Sequence, residues 1–149
     1  MTKLEPGDKA PNFSGKDQDG NVHSLSDYKG KKLVVFFYPK ANTPGCTAEA
    51  CDLRDNYAQF QAGNYALLGV SADNPKAQSN FKNKFDFPFP LLADEDKAVI
   101  QAFGVWGPKK FMGKEYDGIH RTTFVIDENG IIEKVITDVK TKANAKQIL

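Results

Sequence analysis

The sequence predicts an α/β fold: a central mixed β-sheet flanked by helices, with an N-terminal β-hairpin. Three observations predict it. Apolar runs rich in β-branched and aromatic residues recur along the chain, as in strands buried on both faces. Stretches with helical spacing separate them. Near the end, two apolar runs flank a short turn signal, which adds antiparallel pairing.

In chain order, "DQDGN" (17–21) marks the N-terminal hairpin. "LVVFFY" (33–38) is the first buried strand. Residues 44–61 form a helix with Ala50, Leu53, Tyr57 and Phe60 on one stripe. "YALLGVSAD" (65–73) is the second strand, and residues 75–84 the next helix, with Asn74 as N-cap and Pro75 at its first position. "FPLLAD" (89–94) is a third strand and residues 95–103 a short helix. Phe103 to His120 is long for a connection, the length expected of a segment that covers a pocket or faces a partner. "TTFVID" and "IIEKVI" pair across "ENG", and "TKANAKQIL" begins a final helix. Alternating strands and helices imply parallel pairing with right-handed crossovers. The resulting order is thioredoxin-like, a single domain over residues 1–149.

Composition narrows the function classes. Apolar residues make up 40% of the 149, with 11 Phe, enough for a core without disulfide staples. A net charge of +1 gives no reason to expect nucleic acid or an anionic membrane as partner. The densest lysine cluster, "GPKKFMGK", is too short for a basic patch. "LVVFFY" is the longest apolar run, far short of the ~20 residues of a membrane helix. The first residues lack the apolar core of a signal peptide, so the expected location is cytoplasmic. There a static disulfide is not expected, and a close cysteine pair points to catalysis or metal binding.

Both cysteines, Cys46 and Cys51, lie in "YPKANTPGCTAEACDLRDNY" (38–57). Thr43 suits an N-cap and Pro44 the first helical position, which puts Cys46 in the first turn. The free N–H groups and the positive dipole end there favour a thiolate, so a depressed thiol pKa is expected. Thr43 and Cys46 also have capping-box spacing. Thiolate formation alone raises reactivity by at most ~30-fold at neutral pH. Fast chemistry therefore needs donors aimed at the transition state. The candidates are Thr43, backbone N–H groups and an arginine. Besides Arg54, which is expected to pair with Asp55, the chain has only Arg121. A "TTFVID" strand beside "LVVFFY" would deliver its guanidinium to Cys46.

Cys51 raises a geometric problem. Five residues along a helix give a rotation of ~140° and a Cα separation of roughly 8.5 Å. A disulfide needs ~7 Å or less. The two thiols cannot bond until the first turns unwind, and terminal turns open at low cost. A zinc site would need two more ligands, and neither His23 nor His120 has ligand spacing to the cysteines, so no metal is expected. His120 reads as a polar neighbour of Arg121 and Trp106 as a core or loop anchor. Glu49 reads mainly as a first-turn acid favouring the helix N-terminus, with support of the active site as the weaker alternative.

"PKANTPGC" matches the peroxiredoxin signature P-x-x-x-T-x-x-C through Pro39, Thr43 and Cys46. With Cys51 in the same helix, "FGVWG" and "DGIHRTTFVID", the chain resembles the Q-type branch, also called bacterioferritin comigratory protein, from "LEPGDKAPNF" to "TDVKT". The resemblance implies a thioredoxin-like fold and a thiol peroxidase that reduces hydrogen peroxide and small organic hydroperoxides. It implies that Cys46 attacks the O–O bond and that Cys51 resolves the sulfenic acid as an intramolecular disulfide. Thr43 and Arg121 match the residues that orient peroxide and stabilise the thiolate. Pro39 matches the residue that shields the pocket, which Tyr38 and Gly45 adjoin. The resemblance further implies thioredoxin or a glutaredoxin-like reductant as partner, no cofactor, and a monomer. The chain departs from the family at "KANAKQIL", where the family's closing helix is longer. Two other functions share the fold. A disulfide oxidoreductase would carry C-x-x-C, whose sulfurs bond without unwinding a helix. A non-catalytic binding module would not need Cys46.

Overall fold

The computed structural model describes residues 2–149. A small antiparallel hairpin opens the chain, β1 (Ser14–Lys16) with β2 (Val22–Ser24). The Asp17 carboxylate closes its turn by accepting the Asp19 and Asn21 N–H groups. After a 3-10 turn at Leu25–Tyr28 come β3 (Lys32–Phe37), α1 (Pro44–Asp55), α2 (Tyr57–Ala62), β4 (Tyr65–Ser71), α3 (Pro75–Phe85), β5 (Leu91–Ala93) and α4 (Ala98–Ala102). The hairpin of β6 (Trp106–Phe111) and β7 (Lys114–Ile119) follows, then β8 (Thr122–Ile126), β9 (Ile132–Ile136) and α5 (Asn144–Ile148).

The central sheet runs β5-β4-β3-β8-β9. β3 pairs in parallel with β4, and β4 with β5. β8 and β9 add antiparallel strands on the other side of β3. The mixed, thioredoxin-like sheet expected from the sequence is the one observed. β3 explains why its run is uniformly apolar. Leu33, Val35 and Phe37 enter one core with Phe103 and Phe124. Val34, Phe36 and the following Tyr38 enter the other with Cys46, Ala50, Leu53 and Phe60. A strand between two helical layers has no polar face.

Three elements differ from expectation. The helix read over 44–61 breaks at Asn56, whose side chain donates to the Asp52 carbonyl at 2.8 Å. Asn competes for backbone groups in this way and interrupts helices. The helix read over 95–103 is shorter, Ala98–Ala102. Asp94, not a residue of the helix, accepts the N–H groups of Val99 and Ile100 at 3.2 and 2.7 Å. The long connection from Phe103 to His120 is a regular hairpin, β6–β7. Asn74 caps α3 as expected, accepting the Ala77 N–H at 2.8 Å.

Candidate active site

The site forms where β3 ends, beyond the carboxyl edge of the parallel strands, the usual place for chemistry in open α/β sheets. Tyr38 to Thr43 link β3 to α1, and Pro44 occupies the first helical position. Thr43 is the N-cap with extended backbone, but its side chain does not cap. Its hydroxyl donates to the Lys40 carbonyl at 2.7 Å. The capping-box arrangement expected with Cys46 is therefore absent. The Thr43 oxygen keeps its lone pairs for another donor.

Phe37 pairs with Thr122 across the β3–β8 ladder, so Arg121 enters opposite the loop before α1. Arg121 Nη2 donates to Cys46 Sγ at 3.2 Å, and Nη1 to Glu49 Oε1 at 2.8 Å. Cys46 is 2% exposed and Glu49 is fully buried, while Arg121 keeps partial access to solvent. Both cysteines are free thiols. Tyr38 is buried beneath the site, in one core cluster with Cys46, and its hydroxyl donates to Gln78 Oε1 at 2.6 Å. Gln78 in turn donates to the Leu92 carbonyl at 2.7 Å. Tyr38 is thus a floor with its polar atom committed. Pro39, the next residue, is half-buried.

Known proteins resemble this chain throughout. The AhpC/TSA family matches residues 6–135. Peroxiredoxin Bcp of Escherichia coli (strain K12) is 50% identical over 149 residues, which cover 100% of this chain and 96% of that protein. The chain belongs to the AhpC/TSA family of peroxiredoxins. A putative peroxiredoxin bcp of Haemophilus influenzae is 46% identical over 149 residues, covering 100% of this chain and 96% of the relative. In structure, a cysteine-to-serine mutant of PrxQ from Xylella fastidiosa superposes with a TM-score of 0.92 at 32% identity, covering 99% of this chain and 94% of that one. The bacterioferritin comigratory protein of Xanthomonas campestris, studied for alkyl peroxide reduction, superposes at 0.88 with 33% identity, covering 99% and 94%.

Within this peroxiredoxin fold, Glu49 has a larger part than its sequence position indicated. It is not an exposed dipole partner but the buried counter-charge of Arg121. Thr123 Oγ1 lies 3.5 Å from Glu49 Oε2 and 3.2 Å from Asn144 Oδ1, both buried, which extends the network to α5. Burial raises the Glu49 pKa to about 7, against the opposing pull of Arg121 and Thr123. Burial would pull the Arg121 pKa down, but Cys46 and Glu49 more than offset it and hold it up. One signal in the sequence could have found Glu49. It lies three residues after Cys46 and so shares its face of the helix.

The elevated Glu49 pKa has a consequence for stability. The folded protein holds this proton up to about pH 7, whereas an unfolded glutamate releases it near ~4.3. Between those values the native state binds more protons, so stability falls as pH rises, then levels off above pH 7. The span is up to about 4 kcal/mol. Denaturant titrations from pH 4 to 8 should show this decline in wild type and a flatter profile in Glu49→Gln. Equal slopes would show that Glu49 is not the titrating group.

Gly45 lies beneath the guanidinium, since a Cβ there would stand 3.2 Å from Arg121 Nη2. Gly45→Ala is expected to displace Arg121 by tenths of an ångström and to lower kcat/KM for peroxide about tenfold. Alanine favours the helix, so the melting temperature should not drop. An unchanged rate in stopped-flow peroxide reduction would contradict this.

Cys51 is half-buried on the same unbroken helix as Cys46, and burial pushes its thiol pKa up, with Asp55 adding and Arg54 opposing. Arg54 pairs with Asp55 at 2.9 Å and donates to the Phe85 carbonyl at 2.8 Å, as a structural rather than site residue. His120 Nε2 lies 3.0 Å from the Pro108 carbonyl oxygen, which holds the base of the β6–β7 hairpin. His23 is far from the cysteines in role, bridging Asp17 at 2.6 Å and Tyr28 at 2.7 Å. Trp106 is half-buried under Lys97, whose Nζ stands 5.0 Å from the ring centroid. Sequence reasoning missed Lys109. Its Nζ donates to the Ile119 carbonyl at 2.9 Å, two residues before Arg121, and burial, with Arg121, lowers its pKa against the opposing pull of Cys46.

Proposed function

We propose that this peroxiredoxin reduces hydrogen peroxide and small alkyl hydroperoxides with Cys46 as the attacking thiol. The observation that carries the reading is the Arg121 guanidinium 3.2 Å from the Cys46 sulfur at the start of α1. There a charged donor meets the sulfur at the positive end of a helix dipole. The Cys46 thiolate attacks the near oxygen of the O–O bond. The bond breaks, Cys46 becomes a sulfenic acid, and the alkoxide or hydroxide leaves and takes a proton as alcohol or water. Arg121 stabilises the negative charge that spreads from sulfur onto the leaving oxygen. The Thr43 hydroxyl already donates to Lys40, so its lone pairs are available to accept the hydroperoxide O–H and fix its orientation. Pro39 and the buried Tyr38 ring restrict water around the sulfur.

The second half of the cycle uses Cys51. The chain has only two cysteines, so an intramolecular resolving partner has to be Cys51. Its thiol displaces the sulfenic oxygen as water and forms a Cys46–Cys51 disulfide. Both residues lie on α1, so its first turns must unwind before the sulfurs meet. A dithiol protein such as thioredoxin or a glutaredoxin-like reductant then restores both thiols by exchange.

The test is a mass measurement. One equivalent of peroxide added to the reduced protein should remove two hydrogens within seconds and link Cys46 to Cys51 in the peptide map. An unchanged mass would sink the reading. Reduction of insulin disulfides without peroxide would instead favour a disulfide oxidoreductase.

A further inference from the structure

The β6–β7 hairpin carries side chains that the proposed cycle does not use. At its tip Phe111 is 66% exposed and Met112 86%, with Tyr116 beside them at 48%. Met112 and Gly113 make the turn with φ of 52° and 78°. Such two-residue turns favour Asn, Asp or Gly, and left-handed backbone is unfavourable for a long side chain. At that exposure Met112 has little packing to offset the strain.

The faces of the hairpin differ. Pairing sets Lys109 opposite Tyr116 and Phe111 opposite Lys114 on one face. Glu115 and Asp117, opposite Lys110 and Pro108, lie on the other. The Lys109 and Tyr116 side chains both lean over Gly118, where a Cβ would meet them at 3.1 and 3.3 Å. One face is therefore aromatic and cationic without a carboxylate, an asymmetry that a chain-wide charge of +1 conceals. The same face runs back to the site, because Lys109 Nζ donates to the Ile119 carbonyl at 2.9 Å, two residues before Arg121.

We infer that the tip is a peripheral membrane contact: Phe111 and Met112 enter the headgroup layer of an anionic bilayer, with Lys114 of the same face against its phosphates. Resting on the thiol peroxidase reading, this holds the enzyme against a membrane whose lipids become hydroperoxides. Lysines beside exposed apolar side chains suit a lipid interface, where their stems stay in the apolar layer and their charges reach the phosphates. Protein interfaces are instead depleted in lysine and enriched in arginine. A tip of a few residues also falls short of the ~800 Å² per partner of a stable protein complex. Among the described residues no helix is long and apolar enough to cross a membrane, so the contact is superficial.

The test is co-sedimentation of the full chain with vesicles. Wild type should pellet with phosphatidylglycerol vesicles at low salt, not with phosphatidylcholine alone, and the bound fraction should fall as salt rises. Met112→Asn should weaken partitioning about tenfold without lowering the melting temperature, since Asn accepts the turn conformation. Lys114→Glu should weaken it too. Both variants should reduce dissolved hydrogen peroxide at the wild-type rate yet lose activity on phospholipid hydroperoxide held in phosphatidylglycerol vesicles. Equal pelleting of wild type and Met112→Asn would overturn the inference. So would no pelleting on phosphatidylglycerol, or a hairpin-dependent complex with an acidic protein in its place. Should wild type fail on dissolved peroxide, the peroxidase reading falls, while pelleting still decides the membrane contact.

Discussion

Cys46→Ser is expected to abolish peroxide turnover and leave the fold intact. The substitution exchanges one atom at a position that is 2% exposed, in a cluster with Ala50, Leu53 and Phe60. The oxygen is smaller than sulfur, so the packing loss is about 1 kcal/mol or less. The hydroxyl can still accept from Arg121, so no buried donor is stranded. Its chemistry is different, because an alcohol is scarcely ionised at neutral pH and a positive neighbour does not close that gap. Peroxide consumption should fall to the level of buffer, with an unchanged circular dichroism spectrum. Residual turnover above a few per cent of wild type would place the attacking group elsewhere. Cys51→Ser is the contrasting variant. It should react once and stop at the sulfenic acid, which further peroxide carries to the sulfinic acid.

Arg121→Met carries the second largest expected effect, a fall in kcat/KM for peroxide of about 10²–10³-fold. Methionine keeps much of the side-chain length and removes the charge. Two donors vanish together, the one to Cys46 Sγ and the one to Glu49 Oε1. The first loss raises the barrier, because nothing then offsets charge moving from sulfur to the leaving oxygen. The second leaves Glu49 buried without its counter-charge, and Glu49 responds by keeping its proton to higher pH. The decline of stability with pH should therefore extend further in Arg121→Met than in wild type. Adding Glu49→Gln should remove that excess slope without restoring the rate. This double variant separates the two roles of the arginine. A single variant that kept its rate but lost stability would confine Arg121 to a structural part.

The sheet and the pairing of Cys46 with Arg121 were legible because both rest on local patterns that tertiary structure respects. "LVVFFY" has no polar face, so it had to lie between two layers, and "TTFVID" could reach it only as a neighbour. Glu49 was harder to read. A first-turn acid normally faces water, and only the closure of β8 and α5 over α1 buries this one. Thr43 was placed at the right helix position but assigned the wrong bond, since the turn brings the Lys40 carbonyl to its hydroxyl first. The β6–β7 hairpin escaped because each of its signals is atypical. Its strand contains Pro108 and adjacent lysines, without alternating apolar residues, and its turn uses Met112 where Asn is usual. A two-stranded ribbon tolerates that proline, because each strand has an unpaired edge.

Asp52 lies next to Cys51 on α1, and its Oδ2 accepts the Ala145 N–H at 2.8 Å. That bond ties the first turn of α5 to the helix that the proposed cycle unwinds. When the turns carrying Cys46 and Cys51 come apart, α5 loses this anchor and the Thr123–Asn144 contact beside it is strained. α5 thus becomes a redox reporter. Amides from Ala145 to Leu149 should exchange with deuterium faster in the disulfide form than in the dithiol form.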